Sequence, residues 1–125
     1  MAKYAHIDVL KGGGLALQSA GIKMYLLGAY TAADPYATVL GNAIASAITL
    51  ASGDYTFSGA DGASQVCTIA SKTTTATATS SGNLHLAITD GSAKVLLVTD
   101  VTDQPVTSGN PITVPSFTFT MPQPT

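Results

Sequence analysis

Few residues in this chain are equipped for chemistry, and the most conspicuous are two aspartates. The stretch LHLAITDGSAKVLLVTD at 84–100 carries two Thr-Asp pairs, ending in Asp90 and Asp100. Two carboxylates held on either side of a sugar would form a glycosidase site. Asp90, however, precedes Gly91 in a turn signal, and Asp100 closes the strand that follows. At about 3.3 Å of rise per residue the two lie roughly 30 Å apart. No single bond fits between them, so both read as corners of the chain. His85 with a serine and an aspartate would make a nucleophilic constellation, but serines are common here and no G-x-S-x-G elbow occurs. In mid-strand, facing away from the main apolar side, His85 reads as an interface or surface histidine.

Other chemistry is equally thin. His6 and His85 are distant in sequence, Cys67 is solitary, and no C-x-x-C or H-x-x-x-H spacing is present. Asp100 and Asp103 offer oxygen ligands for a surface cation, without the D-x-[DN]-x-[DN]-G pattern of a calcium loop. Gly12, Gly13 and Gly14 follow Lys11, but no G-K-[ST] comes after them, so the tract reads as a hinge and not a phosphate loop. The expectation is a protein that is not an enzyme, with no catalytic group, cofactor or metal.

The elements that would carry these residues are legible from composition. A length of 125 residues suits one domain with a real core. Only 10% of residues are charged, against about 25% in ordinary soluble domains. Arg, Glu and Trp are absent, while Thr, Ala, Ser and Gly are abundant. Thr favours strands and Gly, Ser and Asp favour turns, which points to an all-β domain with many corners. Five scattered lysines and a net charge of −2 cannot neutralise a phosphate backbone, so no nucleic-acid partner is expected. No apolar run reaches the length of a membrane span, and MAKYAHIDVLKGGG lacks a signal-peptide core. Synthesis in a reducing, cytoplasm-like compartment is expected, with no membrane and no small-molecule substrate as partner.

Asp90-Gly91 between alternating runs predicts a hairpin with a two-residue type I′ loop. That register sets Ile88 opposite Ala93, Leu86 opposite Val95 and Leu84 opposite Leu97 on one face. The second face pairs Ala87 with Lys94, His85 with Leu96 and Asn83 with Val98, leaving Leu96 and Val98 apolar where a wet sheet would be polar. Further strands are expected at 15–19, 22–28, 44–50, 54–58, 65–70, 73–79 and 112–121. The last should bend at Pro115-Ser116, where the apolar parity changes. A short helix is expected near 34–43, with Asp34 available as its cap. The predicted fold is a single-domain antiparallel β-sandwich or jelly-roll-like barrel of about eight strands over 14–125. Residues 1–13 form an extended N-terminal arm, whose His6, Ile7, Val9 and Leu10 would make contacts beyond the glycine joint.

The C-terminal part, NLHLAITDGSAKVLLVTDVTDQPVTSGNPITVPSFTFTMPQPT at 83–125, resembles small virion proteins of tailed bacteriophages. In those a strand–DG–strand unit precedes a V-T-S-G-N turn and a closing strand near a final proline. LASGDYTFSG at 50–59 fits more loosely, and 1–49 adds little. The resemblance implies a structural protein, foremost a capsid cement (decoration) protein made in the host bacterial cytoplasm and bound outside the shell. Its partners would be the major capsid protein and itself, as a homodimer or homotrimer. A head–tail, collar or fibre-attachment component is the alternative from the same particle. From another class stands a carbohydrate-binding β-sandwich, for which Tyr4, Tyr25, Tyr30, Tyr36 and Tyr55 would have to form an exposed aromatic platform.

Overall fold

The computed structural model describes residues 5–80, 84–101 and 105–123. In chain order it contains α1 (Ile7–Ala20), β1 (Lys23–Leu27), α2 (Tyr36–Gly41), β2 (Ile48–Thr49) and a 3-10 turn (Ser52–Asp54). Then follow β3 (Tyr55–Ser58), β4 (Gln65–Ile69), β5 (Lys72–Thr75), β6 (His85–Thr89), β7 (Val95–Asp100), β8 (Pro111–Val114) and β9 (Phe117–Met121). The fold is all-β, and every strand pair is antiparallel. The sheets have the orders β2-β1-β6-β7, β3-β4-β9 and β5-β8.

The second and third sheets are one bent ladder. Gln65 opposite Met121 and Thr75 opposite Pro111 belong to the same register, continuous through both sheets except at Ala70-Ser71 and Pro115-Ser116. The ladder is interrupted at Pro115-Ser116, the position where a bend is expected, because a residue without an N–H cannot carry it through. Period-2 alternation sorts the faces. The rows Tyr55–Ile69–Phe117 and Phe57–Cys67–Phe119 turn inward, while Thr56 and Thr118 are exposed on the outer face. Beyond the bend, Ile112 and Val114 continue the inward row.

The first sheet closes the same core from the other side. Met24, Leu26, Ile48, Leu84, Leu86 and Ile88 join Ile69, Cys67 and Val114 in one buried cluster. Full burial of each large side chain contributes about 1.5–3 kcal/mol. The opposite face of that sheet is also covered: Leu27 and Ala87 pack with Val39 of α2. Asp34 does not cap α2; its carboxylate accepts from the Thr31 amide at 2.9 Å, and Pro35 occupies the N-cap position.

Two further sequence expectations are overturned. Residues 7–20 are helical, so there is neither an extended arm over the described part of 1–13, nor a hinge at Gly12, Gly13 and Gly14, nor a strand at 15–19. Residues Leu10, Gly14 and Leu17 recur at helical spacing on the face turned to β3, β4 and β9, and that burial overrides the low helix propensity of glycine. A Cβ on Gly14 would stand 2.5 Å from a Phe57 ring carbon, so the missing side chain is what lets the helix approach. His6 starts the helix, its Nδ1 accepting from the Asp8 amide at 3.1 Å.

The second correction concerns the hairpin. The pairs are Ile88–Leu97, Ala87–Val98, Leu86–Thr99 and His85–Asp100, with Thr89 opposite Val95. The turn is longer than two residues because the Asp90 carboxylate organises it. One oxygen accepts from the amides of Ser92, Ala93 and Lys94 at 2.9, 2.8 and 2.9 Å, and the Asp90 amide donates to the Lys94 carbonyl at 3.1 Å. Gly91 has φ 79°, but Asp90 is not left-handed, so the type I′ geometry is absent. Leu96 is left as the extra residue of a bulge. Asn83 lies outside the described residues.

Candidate functional site

Asp100 stands at the far end of β7 from the Asp90 loop, and its partner is His85: Nε2 to Oδ1 is 2.7 Å. The pair stands on the outer face of the first sheet, with the His85 ring tilted against Tyr30 at 5.7 Å between centroids. Asp100 is exposed, while the His85 side chain is only 16% exposed and its Nδ1 is buried without a hydrogen bond. Sealed from solvent, that nitrogen is out of reach of a substrate. The pair ties β6 to β7 and orients the ring. His85 thus faces away from the main core, as expected, but opposite Asp100 and not Leu96.

Three tyrosines gather on this side. Tyr25 and Tyr30 pack against Leu27, Val39 and Ala87, and the Tyr25 phenol, pushed up by burial, is hydrogen-bonded to Tyr36. All three are half-buried. Tyr25 and Tyr30 turn into this small core and Tyr55 is buried in the main one, so among the described residues these rings form no open platform; Tyr4 lies outside them. Val98, apolar on this outer face, is partly covered by the same cluster within its own chain.

The other proposed contact residues lie around α1. His6 Nε2 is 3.2 Å from Asp61, which also accepts from the Ile7 amide at 3.0 Å, pinning the start of the helix to the β3–β4 loop. Ile7 and Leu10 are half-buried, whereas Val9 is 71% exposed. Val9, Gly13, Ala16 and Ala20 share one flank of α1 at helical spacing. The last three of these, with Leu17, line a cleft of ≈ 200 Å³ together with Leu96, Leu97 and Phe119. Leu96 is 36% exposed at its rim. Sequence reasoning singled out Leu96, but for the wrong neighbours: the bulge turns it toward the helix.

A second cleft, of ≈ 250 Å³, was not foreseen. It is lined by Leu26, Leu84, Leu86, Val101, Ile112, Thr113, Val114 and Pro115. One wall is Leu26, Leu84 and Leu86 of the first sheet, the other is β8, and Val101, just past β7, stands between them. Both clefts lie between the first sheet and the ladder, the smaller against α1, β7 and β9 and the larger against Leu26, Leu84, Leu86 and β8. No ionisable side chain lines either of them. The signal available in sequence was the parity of Leu84, Leu86, Ile112 and Val114, but which strands end each sheet is not written in local pattern. Among the described residues no group of three His, Cys or Asp is placed to hold a metal ion, and no helix is long and apolar enough to cross a membrane.

Compared with protein-family models, with curated proteins and with solved structures, the chain finds no match in any of the three.

Proposed function

We propose that this chain is a non-enzymatic structural protein that acts by association, and that it is a cement component on the outside of a bacteriophage capsid. The observation that carries the reading is the apolar cleft among α1, Leu97 and Phe119, free of ionisable lining residues and rimmed by Leu96 and by the exposed flank of α1. Such a surface gains from being covered, by about 25 cal/mol for each Å² of apolar area removed from water. With 10% charged residues, the chain has little else to hold a partner by. The resemblance of 83–125 to small virion proteins supplies the kind of partner, the major capsid protein and copies of the chain itself. In this role many weak contacts repeated over a shell add up through multivalency.

The test is to purify particles from cells that make the protein, separate them on a density gradient and quantify the chain by mass spectrometry. Co-migration with DNA-filled shells, in many copies per particle, is expected. A few copies per particle would move the chain to the head–tail, collar or fibre position. Its recovery wholly outside particles would end the virion reading.

A further inference from the structure

We infer that α1 is a latch that opens on its own: it undocks and unfolds as a unit while the sheets stay folded, uncovering Phe57, Cys67, Phe119 and Met121. The opening belongs to the free protein and does not rest on the virion reading. Three observations carry it.

First, α1 has little to hold it as a helix. Of its 14 residues, all described, only Gly14 and Leu17 are buried, so one large side chain anchors it in the core. Gly12, Gly13 and Gly14 stand in its middle, where each glycine weakens a helix about fivefold against alanine. A helix of this length is marginal in water even with a good sequence. Once undocked, α1 does not persist, so release and unfolding are one step.

Second, its ties are polar and lie near the surface. At its start the Ile7 amide donates to Asp61 Oδ1 at 3.0 Å, and His6 Nε2 stands 3.2 Å from Asp61 Oδ2. Just before it the Gln123 side chain clasps Ala5, accepting from its amide at 2.9 Å and donating to its carbonyl at 3.0 Å. Near its end Gln18 Nε2 donates to the Ser52 carbonyl at 3.0 Å. None of these hydrogen bonds is fully buried, so water can take over each of them. The far end differs. There the Gly21 carbonyl accepts from the buried Tyr55 hydroxyl at 2.7 Å, and the Ile22 amide donates to the Thr89 carbonyl at 3.1 Å. The helix thus opens from its start and pivots at Gly21.

Third, the sheets do not need α1 for their ladders. β4 pairs with β3 on one side and β9 on the other, and among the described residues no backbone hydrogen bond joins α1 to a strand. Undocking therefore breaks no strand pairing, the condition for a local opening distinct from global unfolding. The closed helix supplies Gly13, Ala16, Leu17 and Ala20 to the smaller cleft, so opening dismantles it. Whatever fills that cleft meets closed molecules alone.

Cys67 reports the state of the latch. It is fully buried, and its Cβ lies 3.3 Å from where a Cβ on Gly14 would stand. The full-length protein is mixed with excess dithiobisnitrobenzoate, an aromatic disulfide. The Cys67 thiolate attacks it, forms a mixed disulfide and releases one coloured nitrobenzoate thiolate, which times the opening. Gly12→Ala should slow labelling by about fivefold. Asp61→Ala, which removes the tie to Ile7 and His6, should speed it by about fivefold. Val39→Ala, under α2 on the far side of the first sheet, should lower the unfolding midpoint yet leave the labelling rate within about twofold. In amide hydrogen exchange by NMR, α1 should share one protection factor, at least about tenfold below that of β6. Labelling that accelerates with Val39→Ala in step with lost stability overturns the inference, because Cys67 then reacts only through global unfolding. So does α1 protection equal to that of β6, or labelling that neither Gly12→Ala nor Asp61→Ala changes. None of these outcomes bears on whether the chain is found in particles.

Discussion

At the scale of single residues, the three glycines divide by what a methyl group would meet. Gly12 has open space around its Cβ position, and Gly14 has the Phe57 ring at 2.5 Å. Gly12→Ala should stabilise the fold by up to about 1 kcal/mol, the helix-propensity difference. Gly14→Ala should destabilise it by about 1–3 kcal/mol, the range for overpacking, partly offset by the same propensity gain. Denaturant unfolding of both variants checks this; a hinge would show neither effect. Tyr55 offers a second test nearby. Its hydroxyl donates to the Gly21 carbonyl at 2.7 Å, and burial pushes its pKa up to about 12. The folded value lies above the unfolded one, so the neutral phenol's contribution is complete below pH 10 and is lost as pH rises toward about 12. Tyr55→Phe should be less stable than wild type at pH 8 and should lose less stability between pH 10 and 12 in thermal melts. Parallel pH profiles for the two proteins would remove the assignment.

At the scale of elements, the Asp90 loop shows how one side chain sets a register. Three backbone N–H groups, from Ala93, Lys94 and Ser92, hold its carboxyl down at about 2, below the ordinary 3.8. A lowered folded value means the contribution is complete above pH 4 and is lost as pH falls toward about 2. Asp90→Ala should therefore lower the melting temperature at neutral pH, and the gap to wild type should close across that acid window. A gap independent of pH would mean that the carboxylate does not organise the loop. The strands on both sides of this loop were legible from alternation, and so was the break at Pro115. The register was not, because Asp-Gly serves both a two-residue turn and an Asx-type loop, and sequence alone does not weigh three amide bonds against a left-handed Asp. Helix α1 was hidden for a related reason. Its propensity is poor, and only the close fit against Phe57 and Cys67, a tertiary fact, makes the glycines favourable.

At the scale of the whole molecule, the sequence pattern located the apolar residues but not the clefts they border. Leu96 shows the difference. Alternation placed it on an outward face beside His85, whereas the bulge sets it at the mouth of a cleft with Ala16, Ala20 and Phe119. Being partly exposed, it has water within reach, so an introduced carboxylate there stays solvated. Leu96→Asp should then cost about 1 kcal/mol or less in folding stability, within the range of surface substitutions. Its effect on docking should be far larger, because a charge at the rim of an otherwise uncharged cleft must be desolvated when a partner covers it. On the proposed capsid role, co-sedimentation with particles is expected to fall by about tenfold or more while the unfolding midpoint moves little. A collapse of the midpoint with no selective loss of docking would place Leu96 in the core, and the cleft would then lose its rim.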